Sequence, residues 1–161
     1  MNVKKPLNNH VATLPSETGS ASVYFDVDGM LGHVAKWLRV LGWDAAYPCE
    51  KPRPGRWFVT ASKRLKGAGI IVVSAEKGFE QLREILEQTG VRVDPALIFS
   101  RCIVCNTSVR EISRELVAER VPHAIYQMVS SFCYCDGCGR IYWEGSHLTR
   151  VQKRLKEFFN L

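Results

Sequence analysis

Two pairs of cysteines with the same internal spacing are the residues of this chain best suited to metal chemistry. Cys102 and Cys105 form one Cys-x-x-Cys pair, and Cys135 and Cys138 form the other. Each pair can turn two thiolates toward one ion, and two pairs complete the tetrahedral shell that zinc prefers. Because four thiolates leave no position for a substrate, the spacing predicts a structural zinc site. The alternative is a set of reduced cysteines that pack as small apolar side chains.

Composition and charge narrow the class of protein. The chain of 161 residues is 46% hydrophobic and 24% charged, as is typical of globular proteins, and its longest purely aliphatic run is far too short to span a membrane. The first 22 residues contain no apolar stretch of a signal peptide, so we expect a cytoplasmic protein whose paired cysteines bind metal. The remaining cysteines are Cys49 and Cys133, and only Cys133, two residues before Cys135, is a rival ligand.

The pattern of apolar residues predicts two folded parts after a disordered tail over residues 1–21. Residues 22–98 contain three strand-like segments and two helices that each end at a glycine, which indicates a small α/β sheet with helical cover. Residues 99–161 hold both cysteine pairs, a partly helical stretch over 109–121 and a terminal amphipathic helix.

Three segments resemble one known family: FDVDGMLGHVAKWLRVL at 25–41 with Gly-Trp-Asp after it, SRCIVCN at 100–106, and CDGCGRIYWEGSH at 135–147. Together they resemble the mutator-seven C-terminal RNase domain over residues 23–161. The resemblance implies a PIN-like small parallel sheet with flanking helices, followed by a C-terminal zinc ribbon and a terminal helix. It also implies a metal-dependent ribonuclease activity.

The resemblance further implies an acidic metal site. Ligands of an open parallel sheet bind beyond the carboxyl ends of its strands, where Asp28 is expected, and carboxylates there would hold Mg²⁺ or Mn²⁺ for phosphodiester hydrolysis. Asp28 matches the family's first acidic position, Asp44 matches the acid after the first helix, and Glu76 could assist. The alternatives are a helix cap for Asp28 and a turn residue for Asp44.

The sequence also departs from the family pattern. Ser62 stands where the family has an acid, and the stretch between Asp44 and Arg56 is short enough that a family helix is expected to be missing. A lost carboxylate weakens a divalent-metal site. Two alternatives to an active ribonuclease therefore stay open: a catalytically degenerate nucleic-acid or protein-binding adaptor, and a zinc-ribbon interaction module with a scaffold domain.

Basic residues in both parts favour RNA as a partner. Lys and Arg number 22 against 16 Asp and Glu, a net charge of +6, although such charge can also serve solubility alone. Tyr142 and Trp143 could stack on bases, but a Trp in a small ribbon more often belongs to the core. His147 is open to three roles: zinc ligand, which four thiolates disfavour, RNA contact or ordinary polar residue. The predicted RNA-binding residues are Lys63, Arg64, Arg140, Arg150, Lys153 and Arg154.

Overall fold

The computed structural model describes residues 23–159, with all their side chains except that of His147. The tail predicted over residues 1–21 and the side chain of His147 lie outside the described part. None of the helices within residues 23–159 has the length and apolar character needed to cross a membrane.

A four-stranded parallel sheet forms the first half of the fold and confirms the predicted α/β class. The strands lie in the order β2-β1-β3-β4. The register places Tyr24 beside Asp44 and Asp28 beside Cys49, so all strands start at one edge of the sheet and end at the other. The strands are β1 (Tyr24–Asp28), β2 (Asp44–Cys49), β3 (Trp57–Thr60) and β4 (Ile70–Val72).

Two helices, α1 (Gly32–Val40) and α2 (Gly78–Thr89), cover one face of this sheet. Side chains alternate along a strand, so Phe25 and Val27 join the core beneath the helices while Asp26 points to the opposite face. As predicted, each helix is followed by a glycine. Gly42 has a φ of 90°, and a Cβ there would lie 2.3 Å from the carbonyl oxygen of Leu97, so only glycine lets the chain turn at this point.

The opposite face of the sheet is covered by connecting loops within the described part of the chain. The connections β2–β3 and β3–β4 run across the sheet in the direction opposite to β1–α1–β2. Because crossovers are right-handed, they lie on the face opposite α1. The contacts agree, since Arg53 and Arg56 of the first connection bind the carboxylate of Asp26. We call loops 50–56 and 61–69 the face loops, and the surface they cover the helix-free face.

A three-stranded antiparallel sheet forms the second half. Its order is β5-β6-β7, and a small core of Val117, Val121 and Phe132 supports it, with the ring of Trp143 packed near Phe132. The prediction of a partly helical stretch over 109–121 holds only for its end, because Ile112 pairs with Phe132 and draws the start into a strand. The elements are β5 (Val109–Ile112), a 3₁₀ turn (Arg114–Val117), α3 (His123–Met128), β6 (Phe132–Cys135) and β7 (Ile141–Trp143).

The terminal helix α4 (Ser146–Phe159) returns to the first half of the molecule. Leu155 is fully buried in the core beneath α1 and α2. The rings of Phe158 and Phe79 lie 5.0 Å apart, and the guanidinium of Arg154 lies 4.8 Å from the ring of Phe79. The last helix therefore stabilises the α/β half as well as the half that contains it.

The buried carboxylate of Asp26 holds the first face loop against the sheet. Asp26 has no exposed surface, and its carboxylate accepts hydrogen bonds from Arg53 Nε at 2.7 Å and from Arg56 Nε at 2.5 Å. Burial by itself raises the pKa of Asp26, but the two guanidinium groups outweigh it and hold the pKa below its ordinary value of 3.8. Ionised Asp26 therefore stabilises the fold at neutral pH, and this stabilisation is lost as the pH falls through the depressed folded-state pKa.

Replacing this carboxylate should cost stability in a pH-dependent way. We expect Asp26→Asn to lower the free energy of unfolding at pH 7 by about 3 kcal/mol, because the guanidinium groups lose their buried counter-ion. Denaturant titrations should show the difference from the unmodified protein shrinking as the pH falls below 3.8. Glu80→Gln, which removes an acid from an exposed pair with Lys77, should change stability little. An equal loss at pH 7 and at acid pH would contradict this account.

Candidate functional site

The four predicted cysteines come together at the base of the second sheet. Their Sγ atoms all lie within 4.8 Å of one another, with 3.6 Å between Cys102 and Cys138 and 3.2 Å between Cys105 and Cys135. Tetrahedral zinc, with sulfur atoms about 2.3 Å away, needs sulfur–sulfur separations of about 3.8 Å. The donor set and its spacing therefore fit a metal such as zinc. Cys133, the rival ligand, is not part of this group.

Two tight turns position the thiols. Cys102 and Cys105 flank the turn before β5, where the amide of Cys105 points at Cys102 Sγ from 3.4 Å. Cys135 ends β6, and Cys138 lies in the turn toward β7. A Cβ on Gly137 would lie 2.3 Å from the hydroxyl of Thr107, so this glycine allows the second turn to approach the first.

The surroundings of the four thiols give them different pKa values. A hydrogen bond with the Thr107 hydroxyl lowers the pKa of Cys105 to about 6, whereas burial and the contact with Cys105 raise the pKa of Cys135 to about 12. The Tyr142 hydroxyl lies 3.0 Å from Cys102 Sγ. Burial raises the pKa of Tyr142, so its hydroxyl stays protonated and can donate to a thiolate. This side chain supports the cysteine cluster.

The first cysteine turn is fastened to the parallel sheet by Arg39. This guanidinium is 5% exposed and donates to the carbonyls of Ile103 at 3.1 Å and Val104 at 2.9 Å. It also donates twice to the carbonyl of Ala45 on β2, at 2.9 and 2.8 Å. Asn106 adds a further link, because its side-chain oxygen accepts the amide of Ala45. The cysteine cluster is thereby tied to the edge where the parallel strands begin.

Asp44, predicted as a catalytic acid, lies at this same amino edge. Its carboxylate accepts hydrogen bonds from Arg56 at 2.5 Å and from Asn106 at 3.1 Å. Burial raises the pKa of Asp44, but these partners hold it below the ordinary value. Since β1 and β2 are parallel, the start of β2 and the end of β1 are about 13 Å apart. The structure therefore does not bring Asp44 together with Asp28.

Asp28 lies at the carboxyl edge, as the sequence predicts, with a partly exposed side chain. One carboxylate oxygen accepts the Thr60 hydroxyl at 2.6 Å, and the other accepts the amide of Met30 at 3.1 Å. The amide of Ser62 donates to the Thr60 oxygen, so the hydroxyl proton of Thr60 is directed at Asp28. Asp28 thus also caps the short 3₁₀ turn after β1, which was the structural alternative.

The other predicted acid, Glu76, does not lie close enough to Asp28 to share a metal ion with it at this edge. Glu76 is exposed and follows β4, two strands away from β1, which corresponds to about 10 Å. Glu84 binds Ser74 and the amide of Ala75 and so anchors the loop before Glu76. Among the side chains that the structure describes, the four cysteines are the one group of three or more ligands close enough to share an ion. The residues at the carboxyl edge do not fit a three-acid magnesium site.

The predicted RNA contacts fall into separate regions. Lys63 and Arg64 are exposed in the second face loop, just after β3, and Arg140 is exposed in the turn before β7. The three predicted contacts on α4 all have local partners: Arg150 donates to the carbonyl of Ser146, Lys153 lies 3.9 Å from Glu157, and Arg154 covers the ring of Phe79. Lys63 and Arg64 form no ion pair with any residue that the structure describes.

Comparison with known proteins places the chain in a family. A family model described as "Mut7-C RNAse domain" matches residues 23–155. Searches of curated proteins and of solved structures give no match. The matched residues extend from β1, which carries Asp28, through the cysteine cluster and into α4, and so include both sheets. This protein therefore belongs to the Mut7-C RNase domain family.

Proposed function

We propose that this protein binds RNA at the carboxyl edge of its parallel sheet, as a ribonuclease-type domain with a reduced acidic site. The family suggests a nuclease-type function. The observation that carries the proposal is the half-exposed carboxylate of Asp28 at the end of β1, beside the exposed cations Lys63 and Arg64. Cations at such an edge attract phosphates, and the carboxyl ends of parallel strands are where ligands bind.

The same geometry argues for weak catalysis or none. Asp44 is engaged by Arg56 and Asn106 at the opposite edge, and Ser62 lacks the charge that the family has at its position. Of the predicted acids, Asp28 and Glu76 remain at the carboxyl edge, where the exposed Glu50 also follows β2. Mg²⁺ and Mn²⁺ are held by carboxylate charge, so we propose that the chain retains RNA binding while phosphodiester hydrolysis is largely lost. Arg140, Arg150, Lys153 and Arg154 would make secondary contacts with RNA.

Zinc bound by the cysteine cluster would stabilise the fold. Cys102, Cys105, Cys135 and Cys138 would hold it as a closed shell, in which zinc supplies folding free energy and takes no part in hydrolysis. Four thiolates around Zn²⁺ carry a net negative charge. The buried guanidinium of Arg39, which contacts the carbonyls between the first two cysteines, offsets that charge.

A protein-binding adaptor is the second candidate. Leu116 and Met128 are 66% and 82% exposed on the helical segment between β5 and β6. Burial of these two side chains against another protein would be favourable. Binding of RNA by the unmodified chain separates this candidate from the first.

Zinc content tests the metal centre. Protein purified under reducing conditions should contain one zinc ion per chain by atomic emission, because the thiol spacing fits tetrahedral coordination. Cys102→Ser or Cys135→Ser should lose the ion and unfold the second sheet. Cys133→Ser is the matched control, since this half-buried cysteine lies outside the cluster, and it should keep full zinc content. Zinc-free protein, or loss of zinc in the control, would contradict the assignment.

Cleavage assays on mixed-sequence RNA test the reduced acidic site. The unmodified chain should bind the RNA but cleave it weakly or not at all in Mg²⁺, with any Mn²⁺-dependent cleavage abolished by Asp28→Asn. Ser62→Asp should raise cleavage because it restores a carboxylate beside Thr60 and Asp28. Ser130→Asp adds the same charge at an exposed position in the other half and should not.

Efficient Mg²⁺-dependent cleavage by the unmodified chain would mean that Glu76 or another carboxylate has replaced the lost ligand. Cleavage that survives Asp28→Asn would place the active site elsewhere. Absence of RNA binding at low ionic strength would favour the protein-binding adaptor.

A further inference from the structure

The excess positive charge of the chain is concentrated in one short stretch. Residues 50–67 contain six basic residues and one acidic residue, a net +5 of the +6 carried by all 161 residues. This stretch comprises the first face loop, β3 and most of the second face loop. The charge is therefore gathered on the connections that cover one face of the parallel sheet.

Not all of these cations are available to a ligand. Arg53 and Arg56 are held by the buried carboxylate of Asp26, and Arg56 also by Asp44. The other four are exposed and form no ion pair with any residue among 23–159: Lys51 in the first face loop and Lys63, Arg64 and Lys66 in the second. The paired arginines thus hold the first loop against the sheet, while both loops present unpaired cations to solvent.

Aromatic rings accompany these cations. Tyr24 alternates with Phe25 and so lies on the helix-free face, 39% exposed, with the guanidinium of Arg56 at 5.2 Å from its ring. Tyr47, 40% exposed, lies at the carboxyl edge, where its hydroxyl donates to the carbonyl of Gly29. Cations beside partly exposed aromatic rings are the combination that holds single strands, in which phosphates meet cations and bases stack on rings.

We infer that the exposed outer side of the two face loops, together with Tyr24, is a binding surface for single-stranded RNA. Lys51, Lys63, Arg64 and Lys66 contact phosphates, and Tyr24 stacks on a base. This inference rests on the proposed function and extends the RNA contact from the carboxyl edge across the sheet. The sequence predicts that a family helix between Asp44 and Arg56 is missing, and the structure has β2 and a short cationic loop over this stretch. The outer side of that loop is exposed and so is available to a strand.

The charge contribution can be tested with matched triple variants. The test variant is Lys51→Gln/Lys63→Gln/Arg64→Gln, and the control is Lys36→Gln/Lys77→Gln/Arg92→Gln, which removes the same charge from exposed positions elsewhere. Binding of a 20-nucleotide single-stranded RNA is measured by fluorescence anisotropy across a salt series. The test variant should bind about tenfold more weakly at low salt, and its log–log salt slope should fall by about 2, since each lost phosphate contact contributes about 0.7.

Stacking is tested by Tyr24→Leu, which keeps an apolar side chain on the sheet. We expect at least about fivefold weaker binding with an unchanged salt slope, because one base loses its stacking partner. Equal unfolding midpoints for all variants would show that they remain folded. If the double variant Lys63→Gln/Arg64→Gln weakens RNA binding as much as the test triple does, so that Lys51 adds nothing, the inference is overturned and the proposed function stands. If the unmodified chain binds no RNA, the proposed function itself fails.

Discussion

The parallel direction of the first sheet is the constraint on which the rest of the molecule depends. Because all four strands begin at one edge and end at the other, Asp28 and Asp44 are separated by the length of a strand. The carboxyl edge receives Asp28, Thr60 and the basic turn that follows β3. The amino edge receives Asp44 and the first cysteine turn. The right-handed crossover then places both cationic loops on the face that no described helix covers.

The amino edge joins the two halves of the molecule. Arg39 donates hydrogen bonds to carbonyls of β2 and of the first cysteine turn, and Asn106 links that turn to Ala45 and Asp44. Buried Leu155 of α4 adds a second connection through the core. A buried guanidinium left without partners costs several kcal/mol. Loss of either set of Arg39 hydrogen bonds should therefore destabilise both the parallel sheet and the first cysteine turn. The acid that the family resemblance assigned to catalysis is here part of a structural junction.

Local patterns in the sequence predicted the elements well, while charged contacts between distant segments were missed. Equal cysteine spacing predicted the four-cysteine cluster because two short turns decide its geometry. The helix periodicity around Leu38 predicted α1 but gave Arg39 no special role, since two of its three carbonyl partners lie more than sixty residues away. The grouping of Asp44 with Asp28 was a prediction from the family pattern that ignored where β2 begins. The basic residues of the two face loops can be read in the sequence. Only the direction of the crossovers shows that both loops lie on one face of the sheet.

The central claim is that the carboxylate of Asp28 lies beside RNA phosphates, whereas the charge of Asp44 is paired with Arg56. RNA affinity of Asp28→Asn and Asp44→Asn, measured in EDTA at low salt, tests it most directly, because both variants remove one negative charge. Loss of a carboxylate beside a phosphate should strengthen binding by Asp28→Asn about threefold, the effect of one like charge at close range in water. Asp44→Asn should change the affinity less, because its charge is already paired with Arg56, and should lower the free energy of unfolding by about 2 kcal/mol. Equal strengthening by both variants, or an effect of Asp44→Asn alone, would contradict this account.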